Sequence, residues 1–264
     1  MVGITGFFQT YAGYLLLGLQ PDTQICSAVF LMTFSLYSLN KLTDMDEDAI
    51  NMPERLELLR DHKRLAIAYS ATAYMLCILL TFLDSPSSVP LVFLPLVASL
   101  LYGSRVLPWL PRLKDIPLIK NITVALSWAV TTTLLPAGDT MVEMTQVVVV
   151  FYFMLVKAFV NTALYDVRDV KGDEANNIKT LAVLLGARRT VLLLLFINVT
   201  LLPLLTYWQG GARILAGMLT INGLACVLYF GANRRPLLMD LLVDGEWTLA
   251  CLSIMLLTAA GAVV

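Results

Sequence analysis

The chain has 264 residues, 58% of them apolar and 14% charged, where a soluble domain runs at about 45–50% and about 25%. With a mean hydropathy of +0.78, these values exclude a soluble globular protein and a disordered chain alike. The net charge of −1 leaves no basic excess to neutralise the phosphates of a nucleic acid, so a nucleic-acid partner is excluded too.

A helix needs roughly 20 apolar residues to cross the hydrocarbon core. Nine runs approach or meet that length: 3–20, 24–40, 65–83, 89–104, 117–136, 145–165, 189–208, 212–231 and 246–264. They predict an all-α membrane protein, a bundle of nine transmembrane helices in one domain, 1–264. The breaks carry turn chemistry, as in Gln20-Pro21-Asp22, Asp84-Ser85-Pro86, Pro136-Ala137-Gly138-Asp139 and Gly210-Gly211. Runs this uniform lack the alternation of a barrel wall. No cleavable signal peptide is expected, because nothing basic precedes the first run. Cys26, Cys77, Cys226 and Cys251 lie inside apolar runs without paired spacing and read as small buried hydrophobes. His62 alone cannot form a multi-histidine metal site.

The basic residues orient the bundle. Loop 41–64 holds Lys41, Arg55, Arg60, Lys63 and Arg64; loop 105–120 holds Arg105, Arg112, Lys114 and Lys120. Segment 166–189 holds Arg168, Lys171, Lys179, Arg188 and Arg189, and loop 232–245 holds Arg234 and Arg235. That is 16 of the 18 basic residues, all in alternate loops and so on one side. The positive-inside rule makes that side cytoplasmic. The N-terminus is then expected inside, and the chemistry on the cytoplasmic face of the cell membrane.

Both long cytoplasmic segments open on acidic clusters. Asn40, Asp44 and Asp48 follow an i, i+4, i+8 spacing, with Asp46 and Glu47 between them. Asp169 and Asp173 are again i, i+4, with Asp166 at i−3. On helices, each set shares one face. The clusters end the second and sixth spans, which suggests a four-helix unit used twice in parallel, 1–115 and 116–240. Like charges at this spacing repel by a few tenths of a kcal/mol in water, and more where water is partly excluded. A divalent cation removes the objection. Mg²⁺ takes one or two carboxylates from protein and completes its shell with water and substrate phosphate. Two facing clusters therefore read as a clamp for Mg²⁺-diphosphate. A calcium loop starting at Asp44 fails, since it wants Gly and Glu where Ala49 and Arg55 stand. Arg55, Arg168, Lys179, Lys114 and Lys120 are candidates for the diphosphate oxygens that the metal leaves free. Lys157 lies inside a span, where a charge either serves function or snorkels to the interface.

These residues resemble the UbiA superfamily of intramembrane prenyltransferases. The likeness rests on Asn40-xxx-Asp44-xxx-Asp48 with Asn51-x-Pro53-x-Arg55, and on Asp166-Val-Arg-Asp169-Val-Lys-Gly-Asp173 followed by Ile178-Lys179-Thr180-Leu181 and Gly186. The stretch from Lys114 to Lys120-Asn121 is similar to the family's middle loop. The resemblance implies nine helices around a central cavity. Asn40, Asp44, Asp48, Asp169 and Asp173 would hold two Mg²⁺ and the prenyl diphosphate, with Asp166 beside them, and the isoprenoid tail would lie in an apolar cavity open to membrane lipid. The four aspartates would be catalytic. Tyr37, Tyr102, Trp128 and Tyr165 are candidates for the aromatic faces that shield an allylic cation. The implied activity is Mg²⁺-dependent transfer of a prenyl group to a lipophilic acceptor. A class I terpene cyclase of the same fold is the alternative, and a cation transporter a more distant one, since transport wants its polar groups near the midplane.

Overall fold

The computed structural model of the chain describes residues 2–43, 62–103, 112, 113, 116, 118–175, 178–233 and 235–262. Apart from turns, these residues are helical, with no strand among them. The helices are α1 (Val2–Leu16), α2 (Thr23–Thr43), α3 (Lys63–Asp84), α4 (Val89–Gly103), α5 (Ile119–Ala129) and α6 (Met144–Ala175). They continue as α7 (Leu181–Leu185), α8 (Ala187–Val199), α9 (Gly210–Phe230), α10 (Pro236–Met239) and α11 (Glu246–Ala259). Two π turns interrupt the pattern: Val130–Leu134 prolongs α5, and Asp240–Asp244 joins α10 to α11.

Each apolar run of the sequence falls on one of these helices. Six are long and apolar enough to cross a membrane, and a seventh span arises if Pro236–Asp244 and Glu246–Ala259, bent by 45°, count as one. The two remaining runs are α1, of 15 residues, and the α5 segment, which its π turn breaks. Two boundaries differ from the sequence expectation. α6 runs on to Ala175, ten residues past the end expected at 165, and so carries the whole second cluster. Helical structure before the last apolar run starts at Pro236 rather than 246, because a proline in the first helical turn loses no intrahelical bond.

Two apolar cores hold the bundle. The larger joins α1, α6, α8, α9 and α11 around Phe153, Leu194, Leu215 and Trp247. The smaller joins α1 to α4 around Ile25, Val29, Tyr74 and Val92. The outer faces carry exposed large apolar side chains, among them Met75, Phe82, Leu83 and Phe196. With the long apolar helices, they mark a multi-pass membrane protein. On the opposite side from the clusters, Asp139 accepts hydrogen bonds from Ser85 Oγ (2.6 Å) and Ser87 Oγ (2.5 Å). These bonds hold its carboxyl below the usual range.

α1 belongs to both cores because small residues let it press on its neighbours. A side chain on Gly6 would meet Thr33 Oγ1 at 2.5 Å. Small residues at such contacts are the usual means of close helix approach in membranes. Gly13 sits against the carbonyl oxygen of Thr132, inside the first π turn. The local sequence explains that turn. Thr131 Oγ1 and Thr132 Oγ1 bond back to the carbonyls of Ser127 and Trp128 at 2.7 and 2.8 Å, a habit that bends helices. Pro136 has no N–H to return to the Thr132 carbonyl four residues earlier.

Gly13→Ala separates two effects of opposite sign. Helix propensity alone would make alanine more stable by about 0.5–1 kcal/mol. The added methyl, however, would overlap the Thr132 carbonyl, which is backbone and cannot rotate away. Overpacking of this kind costs about 1–3 kcal/mol, so net destabilisation is expected. Unfolding in detergent measures it; a stability gain would mean that α1 does not press on the turn.

Candidate active site

The C-terminal ends of α2 and α6 open into one cavity of about 930 Å³. α2 contributes Tyr37, Asn40 and Lys41; α5 contributes Lys120, Asn121 and Trp128. α6 lines the cavity from Ala158 to Asp169, a length of about 16 Å at 1.5 Å per residue. Asn40 of the first cluster and Asp166 and Asp169 of the second therefore face the same space, as the paired spacing predicts. Asp44, Asp48, Arg55 and Lys114 lie outside the described residues.

The second cluster is held by a dense set of polar contacts. Arg168 bonds Asp169 through both Nε (2.8 Å to Oδ1) and Nη2 (2.8 Å to Oδ2). Its Nη1 reaches Asp240 Oδ1 at 3.2 Å, and its guanidinium lies 4.7 Å from the Tyr165 ring centroid. Both oxygens of Asp166 are engaged within the protein: Oδ1 accepts from Lys120 Nζ (2.8 Å) and Oδ2 from Asn121 Nδ2 (2.7 Å). The pair holds Lys120 at the cavity wall. The backbone helps, because Leu118, just before α5, takes a left-handed φ of 66°, a conformation that costs about 1–3 kcal/mol and clusters at functional sites. Asp173 stands one turn beyond Asp169, buried, with Oδ1 3.8 Å from Lys120 Nζ. Asn40 Oδ1 accepts from Ser99 Oγ at 2.9 Å. Lys179 is exposed and stands away from the cavity wall.

Among the described residues, no three His, Cys, Asp or Glu side chains come close enough to hold a metal by themselves. What is described nonetheless fits a hard cation. The second oxygen of Asp173 is buried without a hydrogen-bond partner, as is Asn121 Oδ1. Orphaned buried acceptors beside a carboxylate pair are the donor set that Mg²⁺ takes.

The wall also carries aromatic rings. Tyr37, Tyr102, Trp128 and Tyr165, the four rings singled out in the sequence, all line it, joined by Trp247. Trp128 Nε1 donates to the Tyr37 hydroxyl at 3.2 Å.

Sequence reasoning missed the third wall. Asp240 and Asp244, on the second π turn, also face the cavity. Their i, i+4 spacing repeats that of the other clusters, but reading 232–245 as a loop hid it. Behind this wall Lys157, fully buried, pairs with Glu246 Oε2 at 2.8 Å and does not snorkel. Lys157 also donates to the Leu219 carbonyl at 2.8 Å, while Asn161 and Asn222 donate to Glu246 at 2.8 and 2.9 Å.

The arrangement has close parallels among known proteins. The chain is 27% identical over 232 residues to a digeranylgeranylglyceryl phosphate synthase of Methanothrix thermoacetophila, covering 84% of each chain. It is 28% identical over 204 residues to the synthase of that name from Thermococcus gammatolerans, covering 74% of this chain and 70% of the other. Among solved structures, the apo form of a UbiA homologue from Aeropyrum pernix K1 matches with a TM-score of 0.74 at 15% identity, covering 96% of this chain and 98% of that one. A UbiA homologue from Archaeoglobus fulgidus, bound to GPP and Mg²⁺, matches with a TM-score of 0.68 at 16% identity, over 96% and 94%. The family model for UbiA prenyltransferases spans residues 7–237, so the chain belongs to the UbiA prenyltransferase family and is a membrane-embedded prenyltransferase.

Proposed function

We propose that the chain transfers a prenyl group from a prenyl diphosphate to a lipophilic acceptor, with Mg²⁺, at the cytoplasmic end of its helices. The observation that carries this reading is the cavity, which Asn40 and Asp169 line together with a set of aromatic and apolar side chains. When bound, Mg²⁺ neutralises the diphosphate and makes it a better leaving group. Asn40 and Asp169, with Asp173 behind and Asp44 and Asp48 completing the first cluster, supply its oxygens. Lys120, steadied by Asp166, offers its ammonium to the phosphate; Arg55 and Lys114 are assigned there by sequence, whereas Lys179, assigned there too, stands outside the cavity lining. Arg168 braces Asp169 against Asp240. The rings of Tyr37, Trp128 and Tyr165 keep water from the allylic carbon and present π-faces to positive charge. On this reading the two halves, 1–115 and 116–240, each provide one cluster.

The named relatives point to glyceryl phosphate lipids as the first acceptors to try. The experiment is product analysis with purified protein, Mg²⁺ and a panel of prenyl diphosphates, with and without acceptors. Prenylated acceptor is expected. A cyclic hydrocarbon formed without acceptor would support the cyclase alternative and overturn transfer.

The nine-span, N-inside arrangement is part of the same proposal. The four native cysteines are buried, so introduced ones can be labelled selectively. Cysteines at Ser87 and Thr140 are expected to label from outside only, and one at Leu113 from the cytosol only. Labelling of Ser87 and Leu113 from the same side would break the arrangement.

A further inference from the structure

The third acidic wall lies beyond the two clusters, and its position suggests another task. Asp240 is tied to Arg168 at 3.2 Å. Asp244 lies one turn further along, beside the Tyr165 hydroxyl. Tyr165 precedes Asp169 by four residues on α6, so Asp244 stands about 6 Å inward from the metal-binding carboxylates. A prenyl diphosphate gripped at Asp169 would place its first carbon at that depth, because the carbon is bonded directly to the diphosphate.

One polar group here lacks a partner. Gln9 is 2% exposed and lines the cavity, yet its Nε2 has no hydrogen-bond partner. The Tyr165 hydroxyl is likewise buried, with the Asp244 carboxylate as its neighbour. Gln9 sits one turn from Thr5, whose hydroxyl donates to the Asp244 carbonyl at 3.0 Å, so α1 and the π turn are docked together. A buried amide N–H without an acceptor costs about 1–3 kcal/mol, which a ligand oxygen would recover. Two nearby carboxylates disfavour an anionic group and suit a neutral hydroxyl. π turns are also recurrent features of functional sites.

Resting on the prenyltransferase reading, we propose that Asp244, Tyr165 and Gln9 form the subsite for an alcohol group of the acceptor lipid, with Asp244 as its general base. The acceptor oxygen attacks the first prenyl carbon and forms a C–O bond. The bond from that carbon to the diphosphate breaks, and the diphosphate leaves with the electron pair. The hydroxyl proton passes to an Asp244 oxygen. Gln9 Nε2 and the Tyr165 hydroxyl orient the nucleophile. A phosphate elsewhere on the acceptor stays away from the two carboxylates.

The test compares Asp244→Asn and Asp244→Glu with wild type. The donor is geranyl diphosphate and the acceptor a monogeranylgeranyl glyceryl phosphate with a free hydroxyl. Binding of geranyl S-thiolodiphosphate with Mg²⁺ is measured in parallel. General bases contribute about 10²–10⁴-fold, so Asp244→Asn is expected to lose at least about a hundredfold in transfer. Analogue affinity should stay within about twofold, and Asp244→Glu should recover part of the rate. Wild-type transfer by Asp244→Asn would overturn the assignment. So would parallel loss of analogue binding, which would make Asp244 part of the diphosphate site or the fold. So would wild-type turnover only with acceptors that lack an alcohol. Failure of the wild type to bind the analogue with Mg²⁺ would instead sink the underlying reading, so the two failures are told apart.

Discussion

Asp173→Asn is expected to lower prenyl transfer by at least about a hundredfold while leaving the bundle folded. The change is isosteric. It removes one charge from a site where a preorganised electrostatic group is worth about 10²–10³-fold. It costs the fold little, since the Asp173 contact with Lys120 is long, 3.8 Å, and one of its oxygens has no partner among the described residues. Asp44→Asn, in the first cluster, should give a loss of the same order. Asp139→Asn, on the opposite face, is the control and should keep full activity. Turnover near wild type in both cluster variants at saturating Mg²⁺ would remove the clamp from the mechanism.

The second large effect is on stability. Lys157→Met should destabilise the protein by about 3–5 kcal/mol, because it strands the Glu246 carboxylate in the core. Glu246 is 4% exposed and Lys157 0%, so water cannot solvate the charge that remains. The ion pair itself need not contribute net stability, since desolvation offsets much of its attraction. Lys157→Met combined with Glu246→Gln should therefore recover most of the loss. Unfolding in detergent measures both. A double variant as unstable as the single one would show that the packing of the lysine stem, not the stranded charge, sets the cost.

Much of this was legible in the sequence, for physical reasons. Hydropathy alone located the long helices, because an apolar run in a membrane has no other way to satisfy its backbone. The i, i+4 spacing of Asp169 and Asp173 announced a helix continuing past the apolar run, and α6 runs through both. The four cavity rings were also readable, since each lies within about a turn or two of a cluster or its facing helix. Asp240 and Asp244 were not. Arg234, Arg235 and Pro236 look like loop chemistry, yet Pro236 starts a helix and a π turn aims both carboxylates inward. Lys157 showed that a charge lay inside a span, but its partner is 89 residues away, and only the fold brings Glu246 to it. The contact of Gly13 with the Thr132 carbonyl carries no local signal at all.

The central claim is that the carboxylates of both clusters meet a diphosphate through Mg²⁺. Calorimetry of geranyl S-thiolodiphosphate binding in detergent tests it directly, with Mg²⁺ in one arm and EDTA in the other. The prenyl diphosphate carries several negative charges that the acidic rim repels. Mg²⁺ alone should bind weakly, because it keeps its waters and prefers substrate phosphate. Mg²⁺ is expected to raise affinity for the analogue, and the analogue to raise affinity for Mg²⁺ by the same factor. Replacing Asp48 and Asp169 together should abolish this coupling while sparing binding of the hydrocarbon tail. Equal affinity for the analogue with Mg²⁺ and with EDTA would contradict the claim.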